Sequence, residues 1–205
     1  MNGTRPFCAF VSGRTKLQFL VKLFSKSLLE IVVLRIIRIC REKCMIRIRP
    51  YKPTDVNTVL SWCQDEKEFY QWTAGILGTF PIAQSEFSFV ESLMPFIAFD
   101  ETGIFGFFTL RNPNESLDEL RFGFVIINPE KRGKSYGKEM LRLGLKFAFE
   151  IYGAKRVSLG VFENNLSAYY CYKAVGFEDV VLDTTETYCV LGEEWKCKEL
   201  LLESI

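Results

Sequence analysis

The stretch from Glu119 to Phe162 limits the fold more than any other part of the chain. It holds an apolar run at Glu119–Ile127, a long helical pattern at Ser135–Tyr152 and a second apolar run at Arg156–Phe162. Met140, Leu141, Leu143, Leu145, Phe147, Ala148 and Ile151 give the middle segment its helical periodicity. Two strands separated by one helix pair in parallel through a right-handed crossover. Just upstream, Phe96–Phe99 and Ile104–Leu110 flank a hairpin turn at Asp100-Glu101-Thr102-Gly103, and Asn112–Ser116 is a further turn. An antiparallel meander therefore leads into a parallel pair. This predicts an α/β (α+β) fold with a mixed, mostly antiparallel central sheet of about six to seven strands flanked by helices.

The remaining elements are shorter. Met45–Arg49 alternates as a half-buried strand. Thr54 is expected to cap a helix carrying Val56, Val59, Leu60 and Cys63, and Asp65–Trp72 to form a second. Gly75, Gly78 and Pro81 mark a loop, and Ser85–Leu93 reads as a helix ended by Pro95. A helix from Leu166 to Val175 is stopped by Gly176, and strands near Glu178–Leu182 and Glu186–Cys197 follow.

Charge divides the 205 residues in two. Residues 1–44 hold nine basic and two acidic residues, net +7, whereas the remainder holds 17 basic and 23 acidic, net −6. The apolar residues of 17–39 recur at helical spacing but are broken by Lys22, Lys26, Glu30, Arg35 and Arg38, short of the ~20 uncharged residues of a membrane helix. One expectation is a basic amphipathic helix resting on an anionic membrane or on the domain. The preferred one is that residues 1–44 are translated upstream sequence and that the domain, 45–205, starts at Met45. No membrane partner and no nucleic acid is expected for the acidic domain; a homodimer stays open.

The chain has no histidine, which excludes Ser-His-Asp and Cys-His catalysis and histidine-based metal sites; no metal is expected. Its seven cysteines contain no C-x-x-C pair, consistent with free thiols in a reducing cytoplasm.

Chemistry concentrates in Val125-Ile126-Ile127-Asn128-Pro129-Glu130-Lys131-Arg132-Gly133-Lys134-Ser135-Tyr136-Gly137-Lys138. A strand runs through a tight turn into a helix N-terminus, where unpaired N–H groups and the helix dipole favour an anion. Gly133 and Gly137 let the backbone approach a diphosphate, and Lys131, Arg132, Lys134 and Lys138 add positive charge. It is neither a dinucleotide fingerprint nor a Walker loop, because Gly133…Gly137-Lys138 is one residue short and Glu139 stands where Ser/Thr would bind magnesium.

Arg132-Gly133-Lys134-Ser135-Tyr136-Gly137 resembles the coenzyme A motif Q/R-x-x-G-x-G/A of the GNAT acetyltransferases, with Ser135 where that family usually has Gly. Asn165-Leu166-Ser167-Ala168-Tyr169-Tyr170-Cys171-Tyr172-Lys173-Ala174-Val175-Gly176-Phe177 looks like the family's N-x-x-A-x-x-x-Y-x-x-x-G-F segment. The resemblance spans about Met45–Cys197. It implies a splayed parallel strand pair with acetyl-CoA as cosubstrate in the gap. Backbone groups of Val125, Ile126 and Ile127 would pair with the pantetheine amides. Amides from Arg132 through Gly133, Lys134, Ser135, Tyr136, Gly137 and Lys138 would hold the pyrophosphate, and Asn165 the pantetheine arm. Tyr172 would protonate the leaving thiolate.

Alignment through the loop puts Arg121 where the family often has a catalytic glutamate. Glu119, one same-face step away, is the candidate base, acting directly or through water. Trp62, Phe69, Tyr70, Trp72 and Phe80 fall in the region that forms the family's acceptor wall. The implied activity is transfer of acetyl from acetyl-CoA to a primary amine of a small molecule or protein by direct attack. The alternative is a non-catalytic acyl-CoA-binding regulatory module on the same fold. The domain's negative charge favours a cationic amine such as a polyamine, an aminoglycoside or a protein N-terminus.

Overall fold

The computed structural model describes residues 45–88, 92–181 and 186–204. The helical reading of residues 17–39 lies outside them. Eight strands form one sheet: β1 (Arg47–Pro50), β2 (Leu93–Asp100), β3 (Gly103–Arg111), β4 (Glu119–Ile127), β5 (Arg156–Phe162), β6 (Glu178–Asp179), β7 (Glu186–Val190) and β8 (Glu193–Glu203). The order is β1-β2-β3-β4-β5-β8-β6, with β7 also pairing to β8. All pairs are antiparallel except β4 with β5. The meander and the parallel crossover thus stand as the apolar pattern predicts.

The α-helices among the described residues are α1 (Val56–Leu60), α2 (Glu66–Thr73), α3 (Tyr136–Lys146, continued by π-helical turns at Phe147–Tyr152) and α4 (Leu166–Lys173). Strand alternation sends side chains to two cores. Phe96, Ala98, Phe108, Leu110, Leu120 and Phe122 pack with Met140, Leu141 and Leu145 of α3 and Tyr172 of α4. Ile97, Phe107 and Ile126 pack on the other face with Val56 and Val59 of α1 and Phe69 and Trp72 of α2. The sheet is therefore covered on both sides.

Three expectations need correction. Thr54 does not cap α1: residues Pro53–Asp55 form a 3-10 turn, and Asp55 instead accepts from the Lys52 N–H and binds the Arg49 guanidinium at 2.7 and 2.8 Å. The helix read at Ser85–Leu93 is a single 3-10 turn at Gln84–Glu86; residues 89–91 are outside the described set, and β2 already begins at Leu93. Pro95 lies inside β2, beyond the β1 ladder that pairs Phe96–Phe99, so its missing N–H breaks no β1 bond. The last strand read at Glu186–Cys197 is a hairpin of β7 and β8 turning at Leu191-Gly192, where Leu191 and Gly192 have φ of 53° and 78°. Apolar alternation continues on both sides of that turn, which hid it.

A bulge in β4 shapes the centre. Thr109 pairs with Gly123 and Phe107 with Ile126, so β4 carries one residue more than β3 over this interval. Phe124 takes up the excess in the left-handed region, at φ 47°. On the other side, β4 and β5 pair only at Glu119–Arg156, Leu120–Val157 and Arg121–Ser158. Beyond Arg121 the two strands part.

Candidate functional site

The parting of β4 from β5 opens a cleft of about 590 Å3. One bank is Val125, Ile126 and Ile127 of β4, followed by Arg132, Gly133, Ser135, Gly137 and Lys138. The other is Asn165, Ser167, Ala168, Tyr170, Cys171 and Tyr172 of α4 and its N-cap. Glu68, Gln71 and Trp72 of α2 and Leu141 of α3 complete the lining. Val125–Ile127, most of the loop, Asn165 and Tyr172 are therefore together. Lys134, Tyr136 and Glu119 do not line the cleft.

The loop's backbone is set by two left-handed residues. Gly133 has φ 72° and a Cβ there would meet nothing, so the conformation, not crowding, calls for glycine. Ser135 has φ 66° and ψ 3° at the N-cap of α3, and its hydroxyl makes no capping bond. Here an L-residue occupies a glycine conformation at a cost of about 1–2 kcal/mol. Gly137 is a close approach, since a Cβ there would lie 3.4 Å from the Cys171 sulfur.

The four cations of the loop have different fates. Lys131 Nζ donates to Asp100 Oδ2 at 3.2 Å and to Thr102 Oγ1 at 3.0 Å, and lies 4.5 Å from the Tyr136 ring centroid. The Tyr136 hydroxyl donates to the same Asp100 oxygen at 3.1 Å. Burial pushes the Asp100 carboxyl up, but bonds from Thr102, Lys131 and Tyr136 outweigh it and bring the pKa from 3.8 down to about 2. Lys131 and Tyr136 thus brace the loop against the β2–β3 hairpin. Lys134 Nζ donates to the Glu130 carbonyl at 3.0 Å. Arg132 donates from Nε to the Ile127 carbonyl at 3.1 Å and from its two terminal nitrogens to Glu68 Oε1 at 2.6 Å and the Trp62 carbonyl at 3.2 Å. Lys138, in the first turn of α3, lines the cleft without an ion-pair partner among the described residues.

Across the cleft, Asn165 Oδ1 accepts from the Ala168 N–H at 3.2 Å and caps α4. Its side-chain NH2 makes no bond among the described residues. Tyr172 is 7% exposed and its hydroxyl has no hydrogen-bond partner among the described residues. Burial lifts its phenol well above the ordinary value, with Cys171 adding to the rise, so it keeps its proton at neutral pH. Burial also raises the Cys171 thiol, against the pull of Lys138 and Arg142, which disfavours a nucleophilic thiolate. The Trp72 indole nitrogen is buried without a partner among the described residues, on a side chain that lines the cleft.

The acetyltransferase (GNAT) family model matches residues 58–177, more than half of the chain. The chain belongs to the GNAT family. A spermine/spermidine N(1)-acetyltransferase of Bacillus subtilis (strain 168) and a probable spermine N(1)-acetyltransferase of Bacillus subtilis subsp. natto (strain BEST195) are each 33% identical over 82 residues, 40% of this chain and 52% of the relative. The chain spans about half the length of the curated relatives it matches. A crystal structure of spermidine N-acetyltransferase from Vibrio cholerae in complex with CoA and spermine superposes with a TM-score of 0.65 at 17% identity, covering 77% of this chain and 95% of that one. A putative phosphinothricin N-acetyltransferase gives 0.60 at 16% identity, covering 78% and 99%. These likenesses show the GNAT fold.

Arg121, which the sequence is expected to place where the family often has a glutamate, donates to both carboxylate oxygens of Glu199 and to Ser158 Oγ at 3.3 Å. Glu119 sits at the root of the splay. It accepts from Arg156 Nε at 2.8 Å and from Ser158 Oγ at 2.7 Å. Sequence reasoning missed Asp100, Glu68 and Gln71. Asp100 was hidden as an ordinary hairpin residue, whereas the i, i+3 spacing of Glu68 and Gln71 on α2 could have flagged a shared face. Among the described residues no helix is long and apolar enough to cross a membrane.

Proposed function

We propose that this GNAT chain is an N-acetyltransferase that moves acetyl from acetyl-CoA to a primary amine of a polyamine. The observation that carries the reading is the cleft at the splayed β4–β5 pair. It combines an unladdered strand edge, a left-handed glycine loop at a helix N-terminus, and a protonated buried tyrosine. The residues fit the cosubstrate: Gly133 leaves open space before the loop amides, Lys138 offers a cation, and the side-chain NH2 of Asn165 is available to a pantetheine amide.

Acetyl-CoA supplies the acetyl thioester. The β4 edge at Val125–Ile127 offers N–H groups to the thioester carbonyl, where negative charge develops. Tyr172 holds a proton for the departing thiolate, its raised pKa keeping it in the acid form. Cys171, also held protonated, makes no covalent acyl-enzyme, which leaves direct attack by the amine. Glu119, already bonded to Arg156 and Ser158, takes the amine's proton through intervening water. The polyamine class is supported by the names of the Bacillus relatives and by the net −6 charge of residues 45–205.

Thiol release from acetyl-CoA by the full-length protein tests this, with spermidine, spermine, an aminoglycoside and a peptide N-terminus as acceptors. Turnover with the polyamines is expected. Turnover restricted to another amine overturns the acceptor class, and tight acetyl-CoA binding without thiol release overturns the enzyme in favour of a binding module.

A further inference from the structure

The splayed strands have two free ends, the loop after β4 and the loop after β5. Helix α2 touches both. From α2, Glu68 meets Arg132 of the first loop, while Gln71 Nε2 donates to the carbonyl of Asn164 at 3.3 Å and to its Oδ1 at 3.1 Å in the second. Residues three apart on a helix share a face. Trp72, adjacent to Gln71, lines the same cleft. The helix therefore lies across the gap with one side chain fastened to each bank.

Arg132 is tied on three sides. Each of its three side-chain nitrogens donates to the protein: to Ile127 at the end of β4, to Trp62 in the turn after α1, and to Glu68 of α2. The second oxygen of Glu68 accepts from the Gln64 N–H at 3.2 Å, so the carboxylate is itself held in place. Three of the five N–H groups of this guanidinium are held by acceptors on three segments, which fixes its plane and position.

We infer that Arg132 is a strut between the anion loop and α2 rather than a phosphate ligand, and that Glu68 is the positioning residue that receives it. The inference rests on the cleft being the acetyl-CoA site. The strut fixes the loop backbone at Arg132–Gly133 before the donor arrives and ties it to the helix that carries Gln71 and Trp72. Donor binding is thereby linked to the placement of the wall formed by α2. Phosphate recognition falls to the loop amides and Lys138.

The test uses the full-length protein with Glu68→Gln, Arg132→Gln and the double variant. Acetyl-CoA affinity is measured by calorimetry, and hydrogen exchange of the α2 amides, residues 66–73, is followed in the free protein. Each single variant is expected to weaken acetyl-CoA by about two- to five-fold, the scale of one partly exposed ion pair. The double variant should be no weaker than either single one, and all three should speed α2 exchange alike. If Arg132 were a phosphate ligand, Glu68→Gln would free it and leave affinity unchanged or tighter, while Arg132→Gln would loosen it. Divergent single variants, multiplying losses in the double variant, or unaltered α2 exchange overturn the strut. Wild-type protein that does not bind acetyl-CoA sinks the donor-site reading instead, and the exchange comparison then decides the strut by itself.

Discussion

Replacing Asp100 by Asn should loosen the brace that holds the anion loop. The side chain keeps its shape but loses the charge that draws Lys131, Tyr136 and Thr102 together. The folded carboxyl titrates at about 2 against an ordinary 3.8. That lowering corresponds to about 2–3 kcal/mol. Lys131, whose side chain is 20% exposed, lets in some solvent screening and trims this to about 1–2 kcal/mol. Because the folded pKa is depressed, the stabilisation is whole above the unfolded value of 3.8 and is lost as pH falls through about 2. Urea unfolding of wild type and Asp100→Asn should therefore differ by about 1–2 kcal/mol from pH 5 to 8, with about half of the gap gone near pH 3. Acetyl-CoA affinity should fall as well, since Tyr136 opens the helix whose N-terminus faces the cleft. Equal stability at pH 7, or a gap that does not narrow between pH 5 and 3, refutes the reasoning.

Other substitutions probe the cleft itself. Tyr172→Phe should lower kcat by about 100-fold or more with acetyl-CoA Kd changed less than about three-fold, as for loss of a general acid; equal turnover would remove Tyr172 from the mechanism. Ser135→Gly should stabilise the fold by about 0.5–1 kcal/mol in chemical unfolding, because glycine accepts φ 66° without a Cβ conflict; a loss of stability would mean that the serine makes up its strain elsewhere. Glu119→Gln should lower kcat/KM by about 10- to 100-fold with acetyl-CoA Kd little changed, because the carboxylate that takes the amine's proton through water is lost. Unchanged kcat/KM would take Glu119 out of the proton path. Gly144→Ala should destabilise by about 1–3 kcal/mol in the same unfolding assay, since its Cβ would lie 2.6 Å from the Phe122 ring in the core under α3.

The parts of the site legible in the sequence are those governed by local rules. Glu119–Ile127 and Arg156–Phe162 are long apolar runs whose strand bounds follow from periodicity, and the structure keeps both. Gly133 and Gly176 stand where the backbone turns left-handed, at φ 72° and 115°. What sequence did not show is decided by contacts far apart along the chain. The bulge puts its left-handed residue on Phe124 and not on the adjacent Gly123, and it accompanies the divergence of β4 from β5 that makes the cleft. The basic loop read as four phosphate cations, but Lys131 is drawn to Asp100 and Arg132 to Glu68, each more than thirty residues upstream. Local charge counts the cations available and is blind to the acceptors that the fold brings to them. On the proposed reading the backbone amides and Lys138 would meet the anion, while Lys131 and Arg132 hold the backbone in the shape that lets those amides converge. Positive charge around a nucleotide loop can therefore act by fixing geometry. The separation of these two roles is what the Glu68 and Asp100 substitutions measure, because neither removes a cation from the loop.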